Sequence, residues 1–247
     1  MILKKIYLIP GTMCNERLWV DFLSSISNII DDSYEFIHIK IPKGKSFSQL
    51  SAYINDLIVD EQVFLIGFSL GGYIASHFAS HYSHRVKKVF VIANSPCVLP
   101  LAEQKQRQEI VEFVRCHGYK GMSNERAVQL LDSQQLLSDN HDDNGQLNEL
   151  VNIMLTMDAE LGETEFLSQM RCTTKRTDLG EKITNSCVPF VFYFSENDAL
   201  MNKHWIDNLQ QVSDNCVMIC TQGASHMLPL EKPDELASYI HKWLNTH

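Results

Sequence analysis

The chain has 247 residues, 45% of them apolar, enough to bury a core of ordinary size without disulfide staples or a structural metal. A formal charge of -9 argues against nucleic acid or an anionic membrane as partner, since both reward a basic face. Seven cysteines, an odd number, occur in a chain with no apolar run long enough to span a bilayer and no export signal, so reduced thiols and a cytoplasmic location are expected.

In chain order, the first β-rich run is Lys5 to Ile9, and it moves straight into a turn at Pro10-Gly11-Thr12. Further runs follow at Glu35 to Ile41, Gln62 to Gly67, Lys87 to Ala93, Pro189 to Phe194 and Cys216 to Thr221, with helical patterns between them. Strands alternating with helices imply a mostly parallel sheet of about six strands wound on both faces, the α/β class. Val63 to Ile66, Val89 to Ile92 and Phe190 to Tyr193 are almost continuously apolar, as expected of central strands covered on both sides.

Between the fourth and fifth runs, apolar residues recur at helical spacing, as in Ile110, Val111, Phe113 and Val114 and again in Leu147, Leu150, Val151 and Met154. An inserted helical cap over 95–187 is expected on a core made of 1–94 and 188–247, with the polar stretch Ser138 to Gly145 separating two of its helices. The stretch Ser95 to Gly180 holds eight Lys or Arg against fourteen Asp or Glu, which gives it no general attraction for an acidic carrier protein. Arg171, Lys175 and Arg176 form a local basic group, readable as an exposed lid face or as a site for a carboxylated substrate. Cys216 and Cys220, four apart in a strand, turn to one face and read as buried small apolar residues. From Pro233 onward, Leu236, Ile240, Trp243 and Leu244 share one stripe of a closing helix.

Chemistry concentrates at Gly67-Phe68-Ser69-Leu70-Gly71-Gly72, directly after a buried strand and before a helical pattern that begins near Tyr73. That is the context of a nucleophile elbow, in which small residues two before and two after the serine permit a sharp, strained turn. A dinucleotide-binding reading fails, because the glycines do not follow Gly-x-Gly-x-x-Gly and Lys87-Lys88 stands about 20 residues on, where an acid is required. A serine hydroxyl needs a neighbouring base. His226, in the loop between the last strand and the last helix, is the best placed of ten histidines. Asp198, following the fifth strand, is the preferred carboxylate partner, with Glu196 its competitor. Backbone N–H groups of Leu70 and Thr12 are the expected oxyanion donors. Phe68 and Trp19 are candidate pocket walls, with core packing the alternative for each. His77, His81 and His84 form a metal-like array without an interleaved acid, read as solvated or capping side chains.

Taken together, Pro10-Gly11-Thr12, the Gly67 to Gly72 elbow, Asp198 and Gly223-Ala-Ser-His226-Met-Leu-Pro-Leu-Glu-Lys-Pro233 make the chain resemble the small cap-bearing α/β-hydrolases. These include carboxylesterases, pimeloyl-carrier-protein methyl esterases, enol-lactonases and C–C bond hydrolases of ring-cleavage pathways. Pro10-Gly11 stands where the family usually has His-Gly, and the two extra N-terminal strands of many members do not precede Lys5. The resemblance implies an α/β-hydrolase fold with a catalytic triad of Ser69, Asp198 and His226. The expected activity is hydrolysis of a small ester, thioester or lactone through an acyl-enzyme. The alternatives are diketone C–C hydrolysis with the same triad and a non-catalytic ligand-binding member of the fold. No metal, organic cofactor, nucleic acid, membrane or protein partner is called for beyond a small-molecule substrate.

Overall fold

A computed structural model describes residues 3–139 and 145–246 of the chain. Six strands, β1 (Lys4–Ile9), β2 (Tyr34–His38), β3 (Val63–Phe68), β4 (Val86–Ile92), β5 (Phe190–Ser195) and β6 (Cys216–Thr221), form one sheet in the order β2-β1-β3-β4-β5-β6. All five pairings are parallel.

Because side chains alternate along a strand, the apolar runs split into two cores. Ile6, Leu8, Phe64, Ile66, Phe68, Phe90, Ile92, Val191 and Tyr193 face one side. Tyr7, Ile9, Val63, Leu65, Val89, Val91, Phe190 and Phe192 face the other. On the first side lie α1 (Val20–Ser27), through Phe22 and Ile26, and the closing helix (Pro233–Asn245). The expected stripe of Leu236, Ile240, Trp243 and Leu244 is buried there. Lys88 reaches through to the end of that helix and donates from Nζ to the carbonyls of Trp243, at 3.1 Å, and Thr246. The second side is covered by α2 (Phe47–Leu57) and by α3 (Leu70–His81), which is buried around nearly its whole circumference.

Two expectations need correction. The second strand ends at His38, not Ile41: it is an edge strand that pairs only with β1, and β1 gives way to Pro10, which has no N–H to carry the ladder on. Cys216 is half-buried and Cys220 exposed, because β6 is the other edge of the sheet.

Between β4 and β5 run α4 (Leu101–His117), α5 (Asn124–Gln129), α6 (Ser133–Asp139), α7 (Gly145–Thr174) and α8 (Gly180–Thr184). Gly162, at φ 70°, breaks α7 into two helical halves. The segment Ser138 to Gly145 expected to separate two helices lies mostly, at 140–144, outside the described residues. Val111, Val114, Leu150, Val151 and Met154 are buried, whereas Ile110 and Phe113 are not. Leu179 and Ile183 pack into the core beneath the sheet instead. Between β5 and β6 runs α9 (Lys203–Val212), and after β6 come a single turn α10 (Leu228–Glu231) and α11, the closing helix.

Candidate functional site

The strand-to-helix turn between β3 and α3 holds Ser69 at φ 49° and ψ -115°, a left-handed conformation disfavoured for a residue with a side chain. The surrounding glycines make the turn sterically feasible. A Cβ at Gly67 would lie 2.3 Å from the carbonyl oxygen of Gly71, and one at Gly71 would lie 2.0 Å from that of Ile9. The backbone is pinned by the Ser69 N–H, which donates to the Ile92 carbonyl at 2.8 Å.

Three residues far apart in sequence meet at this turn. His226 Nε2 is 3.0 Å from Ser69 Oγ, and its Nδ1 is 2.7 Å from Asp198 Oδ2. With Nδ1 protonated and donating to the carboxylate, Nε2 presents its lone pair to the serine hydroxyl. Asp198 and His226 are 3% and 6% exposed, so their interaction is shielded from water, whereas Ser69 is only half-buried. The second oxygen of Asp198 accepts the Leu200 N–H at 2.9 Å. Glu196, the competing acid, is exposed.

The loop after β1 lies against the same turn: a Cβ at Gly11 would stand 2.7 Å from the Phe68 ring and 3.3 Å from Ser69 Cβ. Within this loop the Cys14 N–H donates to Gly11 at 3.2 Å and the Met13 N–H to Gln169 Oε1 at 2.8 Å. The Thr12 N–H has no protein acceptor among the described residues. Leu70, as the first residue of α3, has no intrahelical acceptor for its N–H. Both are thus free to meet a developing negative charge.

Phe68 is buried with its ring 5.3 Å from that of His226. Trp19 is wholly buried, edge-on to Phe22, and its indole N–H has no hydrogen-bond partner among the described residues. Of the histidine array, His77 Nδ1 is 2.7 Å from Ser51 Oγ, His81 Nδ1 donates to the His77 carbonyl at 2.7 Å, and His84 sits in the turn before β4.

Sequence reasoning missed the residues through which the segment between β4 and β5 grips this site. The Leu130 carbonyl accepts the His226 N–H at 2.9 Å, and Asp132 Oδ2 accepts the Ala224 N–H at 2.7 Å. Glu231 ties the two together, taking the Asp132 N–H at 2.9 Å on one oxygen and the Ser225 hydroxyl on the other. Burial raises the Glu231 carboxyl above its usual range. On the opposite flank, Glu160 binds Asn15 and Arg17, and Gln169, itself 3% exposed, holds Met13 while donating to Glu165 at 3.1 Å. These partners are separated by up to 156 residues, and the polar residues of α7 carry no local signal of them.

Residues 45–233 match the family model described as alpha/beta hydrolase fold. The biotin biosynthesis bifunctional protein BioHC of Teredinibacter turnerae is 22% identical over 95% of this chain, which spans 43% of that protein's length. Among solved structures, the enol-lactonase of Burkholderia xenovorans LB400 superposes with a TM-score of 0.80 at 14% identity, covering 100% of this chain and 93% of its own. A thermophilic esterase of Thermogutta terrifontis gives 0.77 at 17% identity, covering 98% and 90%.

Proposed function

The chain belongs to the α/β-hydrolase fold family, and from that premise we propose that it is a serine hydrolase cleaving a small ester, thioester or lactone. The reading is carried by one observation: Ser69 Oγ, His226 and Asp198 are in hydrogen-bond contact in series, at 3.0 and 2.7 Å. The order serine, aspartate, histidine along the chain agrees with it. The similarity to an esterase and an enol-lactonase supports a carboxylic ester or lactone as substrate.

In this mechanism Ser69 Oγ attacks the carbonyl carbon as its proton passes to His226 Nε2. Asp198 holds the ring in the required tautomer and stabilises the imidazolium. The oxyanion takes hydrogen bonds from the Thr12 and Leu70 N–H groups. Collapse returns the proton from His226 to the leaving oxygen or sulfur and leaves an acyl-enzyme. Water, deprotonated by His226, then attacks the acyl carbon and regenerates the Ser69 hydroxyl. The helices α4 to α7 act as the cap, α8 belonging to the core beneath the sheet, and Phe68, against the His226 ring, forms part of the wall of the reacting centre.

The test is hydrolysis of p-nitrophenyl esters of increasing acyl length, with Ser69→Ala beside the native chain. Turnover should fall by at least about a thousandfold in the variant. Absence of turnover at every length, or equal turnover by both proteins, would overturn the ester reading.

A further inference from the structure

Away from Ser69, the second half of α7, the flank of α3 and the start of α2 enclose a cleft of about 850 Å3. Its cationic side chains are Lys43, Lys45, Arg171, Lys175 and Lys182, and none of the residues lining it is Asp or Glu. We propose that this cleft is a second binding site, for a small ligand carrying two or more clustered anionic groups, phosphate or carboxylate.

In a chain of net charge -9, gathering five cations around one concavity works against their mutual repulsion. Pairing within the protein relieves little of it. Lys43 meets Glu165 at 3.6 Å, and Lys182 donates to His81 Nε2 at 2.9 Å. Lys45, Arg171 and Lys175 make no ion pair among the described residues. Arg176, grouped with them in sequence, does not line the cleft; its guanidinium lies 5.8 Å from the ring of Tyr73.

The dipole of α7 accounts for Arg171 and Lys175, which stand at its negative C-terminal end. It does not account for Lys43 and Lys45. They precede the N-terminus of α2, where the partial charge is positive and a cation is disfavoured. An anion in the cleft resolves that conflict. The capping box of α2 occupies the N–H groups of Ser46 and Gln49, while those of Phe47 and Ser48, both at the cleft, have no protein acceptor among the described residues.

The volume exceeds what one phosphate needs and falls in the range of sites for small organic ligands. None of Ser69, Asp198 and His226 lines the cleft; along α3 its wall runs from Tyr73, four residues and about 6 Å beyond Ser69, to His77 and His81 farther on. The site is therefore separate from the reacting serine, and the inference does not depend on the hydrolase reading.

The experiment is calorimetric titration of the full chain at low ionic strength with sodium tripolyphosphate and, separately, citrate. Binding of either probe should weaken at least about tenfold in Lys45→Ala/Arg171→Ala, stay within about twofold in Lys105→Ala on the outside of α4, and persist in Ser69→Ala. Tripolyphosphate alone would identify phosphate chemistry, citrate alone carboxylate chemistry, and both a general polyanion site. Binding by neither, or binding unchanged in the double variant, overturns the proposal. Binding of oligoglutamate with neither small probe overturns it in favour of an acidic polypeptide.

Discussion

Gln169 Oε1 accepts the backbone N–H of Met13 at 2.8 Å, joining the second half of α7 to the loop beside Ser69. Met13 sits at φ 54°, a conformation that costs energy for a non-glycine residue. The bond both holds that conformation and removes the Met13 N–H from competition with that of Thr12. Gln169→Ala leaves a buried donor unsatisfied, at a cost of about 1 to 3 kcal/mol. Its expected signature is kcat reduced about ten- to a hundredfold with KM changed less, because the oxyanion donor acts in the transition state. A Glu165→Gln/Gln169→Glu exchange keeps both the acceptor for Met13 and the hydrogen bond between the two side chains, and should recover part of the loss. Steady-state kinetics of the two variants checks this, and a change confined to KM would refute the positioning role.

Asp198→Asn preserves shape but lets the side chain satisfy the wrong His226 tautomer, with Nε2 protonated toward Ser69. The expected fall in kcat is about a thousand- to ten-thousandfold, with little change in folding. Glu196→Gln, at an exposed position, should stay within about twofold. Equal loss in both would reassign the carboxylate.

How far these relationships can be read from the sequence depends on how local their signals are. The buried strands announce themselves because helices on both sides make β3, β4 and β5 apolar at nearly every position. The elbow does so because its glycines and serine fall within six consecutive residues; Gly67 is crowded by the turn itself, at Gly71, whereas Gly71 is crowded by the distant strand end at Ile9. Within the cap the apolar pattern names helices but not their faces: Val111 and Val114 are buried while Phe113, between them, is 60% exposed. Edge position, which exposes Cys220, depends on strand order and not on the strand's own residues. The contacts of Gln169 and Glu231 depend on where a distant segment comes to rest, so residue type alone carries no trace of them.

The elbow glycines make a prediction about folding. At Gly71 an added methyl would overlap the Ile9 and Pro10 carbonyl oxygens, at 2.0 and 2.6 Å, and neither the strand end nor the helix start has room to retreat. Gly71→Ala should cost more than about 3 kcal/mol or abolish folding. Gly145→Ala, where an added Cβ meets nothing within 4 Å among the described residues, should change stability by less than about 1 kcal/mol. Urea unfolding of the pair measures the contrast, and similar midpoints would show that the turn is not packed as described.

A last prediction concerns acid stability. His77 lies buried beside Ser51 on α2, stacked 4.1 Å from His81 with Lys182 beyond, and the Phe47 and Tyr73 rings pack near it. Burial first, then the charges of His81 and Lys182, lower its pKa from 6.5 to about 4. Above pH 6.5 the ring is neutral in folded and unfolded chains alike, so its contribution to stability is fully present. As pH falls from 6.5 toward 4, the unfolded chain takes up a proton that the folded chain refuses. That is worth a loss of about 3 kcal/mol by pH 4. In His77→Gln this component is absent, so the variant, whatever its stability at pH 7.5, should lose about 3 kcal/mol less than the native chain on acidification to pH 4. Chemical denaturation at the two pH values gives the comparison. Parallel losses in both proteins would mean that the His77 ring accepts its proton within the folded structure.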